Sequence, residues 1–406
     1  MNAIAEEYVK LVLAVGQFDA DYVDAYYGPS EWRTAVQAKT PSLTEIIRHA
    51  THEIHALSDI AVDPSDTLLT LRKVYLSTQL SSLIAKTEML QGKKFTFDEE
   101  SKKLFDAVAP TFPEDHFKEL LHELSDALPP GEGTLQDRYL NFRSQFMIPK
   151  DKIDTVFKAA ISECRMRTKK HFTLPPNEHF VVEYVTDKPW SGYNWYKGNA
   201  YSVIQVNTDL PIAIDRAVDI AAHEGYPGHH VYNSLLESEL MRKRGWIEFS
   251  VYPLFSPQSL IAEGSANYGK EVAFTRDERL RFEKDVLFPL AGLDPSAAEQ
   301  YYHIMDIVGK LSYAGNEAAR GYLNGTMTKD EAIAWLEKYS LMDEARAAQR
   351  LKFIEKYRSY VINYNYGQDL VAHYVERHGG TADHPEVRWK IFGELLSSPR
   401  LPSELK

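Results

Sequence analysis

From the N-terminus, apolar positions recur every three to four residues. IAEEYVKLVLAVGQF and the longer DTLLTLRKVYLSTQLSSLIAKTEMLQG both keep that spacing, the signature of amphipathic helices. AYYGPSEW punctuates two helical patterns with a Gly-Pro pair, and PPGEG (residues 129–133) is the clearest turn of the first half. This pattern predicts a helical N-terminal region over residues 1–130 and a second helical region over 131–406, packed as one compact unit.

The period changes near residue 178. HFVVEYVTDKPW and NAYSVIQVNTDLP are rich in Val, Ile, Tyr and Thr and bounded by Pro, Gly and Asn. They predict two strands of a small sheet over about 178–210, joined by SGYNWYKG as a long hairpin. Residues 200–207 are expected either to offer an edge to an extended substrate or only to pack against the next helix. After Pro211 the helical period returns in IAIDRAVDIAAHEGY, with Asp209 in its cap region. The remainder is again helical in pattern, and Thr328 with Glu331 fits a capping box.

Composition narrows the function classes. A formal charge of −12, with no basic run, argues against a broad grip on nucleic acid. Cys164 is the single cysteine, which excludes an intrachain disulfide and a cysteine-cluster metal site. Its neighbours, ISECRMRTKK, give it a place on a helix and no base to activate it. The N-terminal segment carries Glu6 and Glu7 where a secretory signal carries positive charge, and no apolar run reaches transmembrane length. The expectation is a cytoplasmic chain without a membrane partner. Nothing in the sequence speaks to oligomeric state.

The chemistry concentrates in AAHEGYPGHHVYNSLLE, residues 221–237. His223 and Glu224 open like a zinc-binding helix, in which a second histidine four residues on completes the pair and the glutamate serves as general base. Pro227 occupies that position instead, and histidines follow at 229 and 230. On a regular helix of about 3.6 residues per turn, His229 lies roughly 120° off the face of His223. His230 returns to the face but sits roughly 10 Å along the axis. Pro227 removes an amide and clashes with the His223 carbonyl, and Gly228 tolerates the angles a bulge needs. A bulge absorbing two residues there would carry His229 to the usual i+4 place, whereas a plain helix end would leave a histidine-rich turn. Downstream, SLIAEGSANYGKEVAF supplies Glu263 as third metal ligand, beside small residues that admit a neighbouring helix. Glu271, next to Lys270, reads as a surface residue.

Together, HEGYPGHH at 223–230 and AEGSANYGKE at 262–271 resemble the bacterial family known only as domain of unknown function 885. That family carries a His-Glu-x-x-Pro-Gly-His-His segment and then a Glu-Gly-x-Ala-x-Tyr-x-x-Glu segment. Ser265 stands where tryptophan is common and Asn267 where leucine is common, neither touching an expected ligand. The resemblance is strongest over about 200–370. It implies a mainly α, metallopeptidase-like fold similar to helical zinc carboxypeptidases and other glutamate-zincins, with a small β-sheet next to the metal-binding helix. It also implies one Zn2+ on His223, His229 and Glu263, with Glu224 as base. Other divalent metals stay open, because these ligand types select poorly among them.

SYVINYNYGQDLV resembles a late Tyr-x-x-Gly element of the same family. It makes Tyr364 the candidate donor to a developing oxyanion, with Tyr360 and Tyr366 as alternatives. The expected activity is that of a zinc-dependent hydrolase, foremost a carboxypeptidase- or dipeptidase-like metallopeptidase on small peptide or amide substrates. A non-peptide amide or ester hydrolase and a silent metal-binding scaffold are the rivals. Arg320, Arg346 and Arg350 are candidates to bind a substrate carboxylate.

Overall fold

The computed structural model describes residues 1–188 and 190–406. The chain is 67% helical and only 7% strand, so the expected class, mainly α with a small sheet, holds. Helices begin where their caps dictate. Thr328 accepts from the Glu331 amide while Glu331 reaches back to Thr328, the reciprocal cap expected from the sequence. Cys164 lies buried on the Ile153–His171 helix, and burial pushes its thiol up to about 12. Among the described residues, no helix is long and apolar enough to cross a membrane.

Two small sheets bracket the site. β1 (Val23–Tyr26) pairs antiparallel with β5 (Val251–Pro253), bringing the N-terminal region against residues that lie between the helices carrying His229 and Glu263. Nearby, Arg72 forms a buried fork with both oxygens of Glu248, at 2.5 and 2.9 Å.

The second sheet differs from the expected hairpin. β2 (His179–Val185) runs parallel to β4 (Tyr201–Asn207), and SGYNWYKG itself supplies a third strand, β3 (Gly192–Tyr196). β3 folds back antiparallel on β4, giving the order β2-β4-β3. The crossover strand takes the hairpin's place, so residues 200–207 form the central strand. They cannot be a substrate edge, because both sides are already paired. The free edge beside the site is β3.

Asp209 is likewise not the helix cap. The next helix begins at Asp215 after Ile214, and Asp209 accepts from the Asp187 amide at 2.8 Å, tying two loops at the end of the sheet. Pro211 and the loop after it separate Asp209 from any helical amide.

Candidate metal centre

Asp215–Ile220 is an ordinary helical segment, and the turn Ala221–Gly225 widens after it. The Tyr226 amide donates to Ala221 O, five residues back, at 3.0 Å. Pro227 has no amide to give, and the Gly228 amide reaches Ala222 O, six residues back, at 2.9 Å. Spanning six residues instead of four is the two-residue insertion the motif requires. Gly228 is obligatory there, since a Cβ would fall 2.0 Å from His223 O. Regular helix resumes at His229–Leu235.

The Pro257–Ala273 helix carries Glu263 to the same place. Its Gly264 meets Gly367 of the Ile362–Arg377 helix so closely that a Cβ on Gly264 would lie 2.4 Å from Gly367 C and O. The neighbour expected from the small residues around Glu263 is therefore the helix bearing Tyr364, three residues before Gly367.

His223 Nε2 and His229 Nε2 stand 3.1 Å apart. Glu263 Oε2 lies 3.3 Å from the first and 3.7 Å from the second. Ligands at 2.0–2.2 Å from a tetrahedral metal are separated by about 3.3–3.6 Å, so the triangle has the size of one face of such a site. Glu263 Oε2 is buried and accepts no hydrogen bond of ordinary geometry. Its partner Oε1 accepts from the Tyr360 hydroxyl at 2.7 Å. A buried, unsatisfied carboxylate oxygen facing two imidazole nitrogens suits a cation.

The electrostatics agree. Burial works against charging His223, yet Glu224 and Glu263 outweigh it and lift its pKa to about 9. Burial likewise opposes ionisation of Glu263, but His229 and His223 hold its carboxyl well below the usual range. These groups together call for positive charge at their centre.

Glu224 is set back. Its Oε1 is 4.0 Å from His223 Nε2, further than Glu263 Oε2, although His223, Glu224 and His229 each offer a ligand atom within 4.8 Å of the others. The shorter distances to both histidines assign Glu263 to the triangle and leave Glu224 beside it. Burial raises the Glu224 carboxyl above its ordinary value, the direction a general base needs. β3 lies over it: the Asn194 side-chain Nδ2 donates to Glu224 O at 2.6 Å, and a Cβ on Gly192 would be 3.0 Å from Glu224 Oε1.

His230 is elsewhere. It is fully buried, with Nδ1 2.9 Å from Ser202 Oγ on β4 and Nε2 3.4 Å from Glu178. Glu178 also accepts from Tyr226 and Arg165, each at 2.6 Å. This network fixes the widened turn to the sheet.

Tyr364 lines the cavity, and its hydroxyl makes no hydrogen bond among the described residues. Burial, then Glu263, pushes its phenol well above the usual value, so it stays protonated and able to donate. Tyr360, weighed as an alternative, is taken by Glu263, and Tyr366 does not line the cavity. Glu271 is exposed and accepts from Gln368 at 2.7 Å.

Two features have no clear sequence signal. Asp24 of β1 enters the cavity and accepts from the Tyr193 hydroxyl. Burial, with Glu263 and Glu224 nearby, raises its carboxyl to about 7. Asn267, expected to touch no ligand, lies 2.8 Å from His223 Nδ1 through its Oδ1. The expectation failed because four residues along a helix return Asn267 to the face of Glu263.

These groups line a cavity of about 940 Å³. No family model matches the chain, and no curated protein does. A solved structure similar to it is a protein from Colwellia psychrerythraea described as a candidate lipoprotein, with 14% identity and a TM-score of 0.57. The likeness covers 92% of this chain and 67% of that one and concerns the fold alone. Another, from Shewanella oneidensis and described as a candidate lipoprotein of unknown function, has 13% identity and a TM-score of 0.45, covering 90% of this chain and 75% of that one.

Proposed function

We propose that the chain is a zinc-dependent hydrolase of the peptidase type, a member of the family its motifs resemble, domain of unknown function 885. The observation that carries the reading is the triangle of His223 Nε2, His229 Nε2 and Glu263 Oε2 with Glu224 standing beside it. A zinc ion held by the three ligands would supply Lewis acidity toward a scissile carbonyl and toward water.

The chain's own residues do the rest. Glu224, buried and raised in pKa, accepts a proton from the attacking water and passes it to the leaving amine. Tyr364 donates to the carbonyl oxygen as negative charge develops there. β3 offers the backbone. Lys197 donates to Tyr201 O and Asn207 to Ser191 O, so odd-numbered β3 residues face β4. Gly192 and Asn194 therefore turn their N–H and C=O to the free edge, in the cavity wall, where an extended substrate can add as a strand.

The rivals of this reading are hydrolysis of a non-peptide amide or ester and a silent metal-binding scaffold. A base placed beside the triangle favours chemistry over the scaffold, since a purely structural site has no use for one. The test is Glu224→Gln on a panel of dipeptides, acylated amino acids and esters. The variant should keep its metal and lose activity by roughly 10²–10⁴-fold. Full hydrolysis by the metal-loaded variant would remove Glu224 from the mechanism. A cytoplasmic location is part of the same proposal. Because both similar structures are described as candidate lipoproteins, recovery of the chain in the cell-envelope fraction would overturn it.

A further inference from the structure

The Glu344–Tyr357 helix presents Arg346, Gln349, Arg350, Phe353 and Tyr357 to the cavity, positions three or four residues apart on one face. Five described cations line that cavity: Arg143, Arg216, Lys270, Arg346 and Arg350. Arg216 and Lys270 pair with Asp219 at 3.3 and 2.8 Å, and Arg346 with Asp343 at 3.4 Å. Arg143 sits near Asp215 and the Tyr301 hydroxyl, and its pKa is raised.

Among the described residues Arg350 has no carboxylate within 4.0 Å and donates no hydrogen bond. Arg143 likewise has no carboxylate within 4.0 Å and donates no hydrogen bond, but Asp215 helps to hold its charge, whereas no acid does so for Arg350. The Arg350 guanidinium lies over the Phe353 ring, 4.9 Å from the centroid. Burial lowers its pKa, with only Tyr364 opposing. A guanidinium drawn from water without an anion is costly, and a planar fork of donors is the group best matched to a carboxylate.

Its place relative to the metal triangle follows from the aromatic wall. The Phe353 ring is 6.4 Å from that of Tyr364, Tyr364 is 5.7 Å from Tyr360, and Tyr360 donates to Glu263. Arg350 and Glu263 are both neighbours of Tyr364. Arg350 thus lies along the wall that also holds Tyr364. Arg320 is excluded from such a role, being committed to Asp98, Glu317 and Ala109 O outside the cavity.

We propose that Arg350 binds the free α-carboxylate of the substrate, so that the chain acts on acylated amino acids and releases the carboxyl-terminal residue. The proposal rests on the hydrolase reading for its turnover but not for its binding. Two sources share this chemistry, a peptide C-terminus and a simple N-acyl amino acid.

The experiment has a turnover arm and a binding arm, each with the native zinc-loaded chain, Arg350→Gln and Arg350→Lys. Turnover compares benzyloxycarbonyl-glycyl-leucine with its C-terminal amide, and with N-acetyl-leucine. Binding compares 3-phenylpropanoate, which has no bond to cut, with 3-phenylpropanol by calorimetry. The native chain should prefer the free acid by roughly 10–100-fold, the worth of one charged hydrogen-bonded pair. Arg350→Gln should erase that preference through KM, leave the amide unaffected, and lose 3-phenylpropanoate. Arg350→Lys should restore part of both. Cleavage of the glycyl-leucine compound alone makes the source a peptide, and cleavage of N-acetyl-leucine makes it an acylated amino acid.

Equal turnover of acid and amide by the native chain overturns the proposal, as does a preference that survives in Arg350→Gln. If neither compound is hydrolysed, the hydrolase reading falls and binding decides: 3-phenylpropanoate held only when Arg350 is present upholds the anchor, and binding indifferent to Arg350 overturns it. Should Arg350→Gln fail to fold, Arg350→Lys with the native acid–amide comparison decides by the same criteria.

Discussion

Asn267 sits between His223 and the backbone of Tyr364. Its amide nitrogen donates to Tyr364 O at 2.6 Å, and a carbonyl can only accept, so the oxygen must face His223 Nδ1, 2.8 Å away. Nδ1 of His223 therefore keeps its proton, which leaves Nε2 as the nitrogen that would give up its own to bind a metal. Asn267→Leu removes that orientation and should weaken metal binding roughly 10–100-fold, as loss of such supporting bonds does elsewhere. Competition against a chromophoric chelator measures it, and unchanged affinity would strip Asn267 of the role.

His229 and His230 are adjacent in sequence and do different work. His229→Ala and Glu263→Ala should each abolish near-stoichiometric metal, measured by elemental analysis after dialysis. His230→Ala should keep the metal but lose stability, because it breaks a buried network with Glu178 and Ser202. A loss of about 1–3 kcal/mol is expected from stranding those partners. Metal lost from His230→Ala with the fold intact would contradict the assignment.

Tyr364 and Tyr360 separate in the same way. Tyr364→Phe should lower kcat by about 10²–10³-fold with metal retained. Tyr360→Phe frees Glu263 Oε1 from its donor and should chiefly weaken metal binding. Kinetics and metal titration on both variants distinguish them, and reversed outcomes would exchange their roles.

Glu178 predicts an acid-sensitive fold. Burial opposes its ionisation, but hydrogen bonds from His230, Tyr226 and Arg165 outweigh that and hold it down to about 2, against an ordinary value of 4.5. A folded-state pKa below the unfolded one stabilises fully above pH about 4.5, and the contribution is lost as pH falls toward 2. Glu178→Gln should flatten the melting profile over that window. A native profile already flat between pH 4.5 and 2 would rule the network out as the cause.

Gly264 tests the helix crossing. Gly264→Ala places a methyl against the Gly367 backbone, which cannot rotate away, and overpacking of this kind costs about 1–3 kcal/mol. The substitution should also reduce metal affinity, since the crossing holds Glu263 and Tyr364 in register. Denaturant unfolding and metal titration check both effects, and a neutral result would mean that the helices can separate without consequence.

Much was legible in the sequence because it is local. Helical spacing, the Thr328–Glu331 cap and the mainly α class each depend on residues a few positions apart. The two-residue misfit between His223 and His229 could likewise be seen from Pro227 and Gly228, whose backbone preferences are intrinsic. Tertiary structure decided what depends on distant partners. The order of the sheet was one such decision: SGYNWYKG competes for β4 as a strand of its own, and pairing energy across a sheet cannot be read along one strand. Glu263 became more than a helix carboxylate only when Gly264 met Gly367. The separation of His229 from His230 was set by Glu178 and Ser202, which lie 52 and 28 residues from His230. The sequence determined which groups can do metal chemistry and where the helix must yield; packing decided which of them face one another, because burial and charge act between neighbours in space.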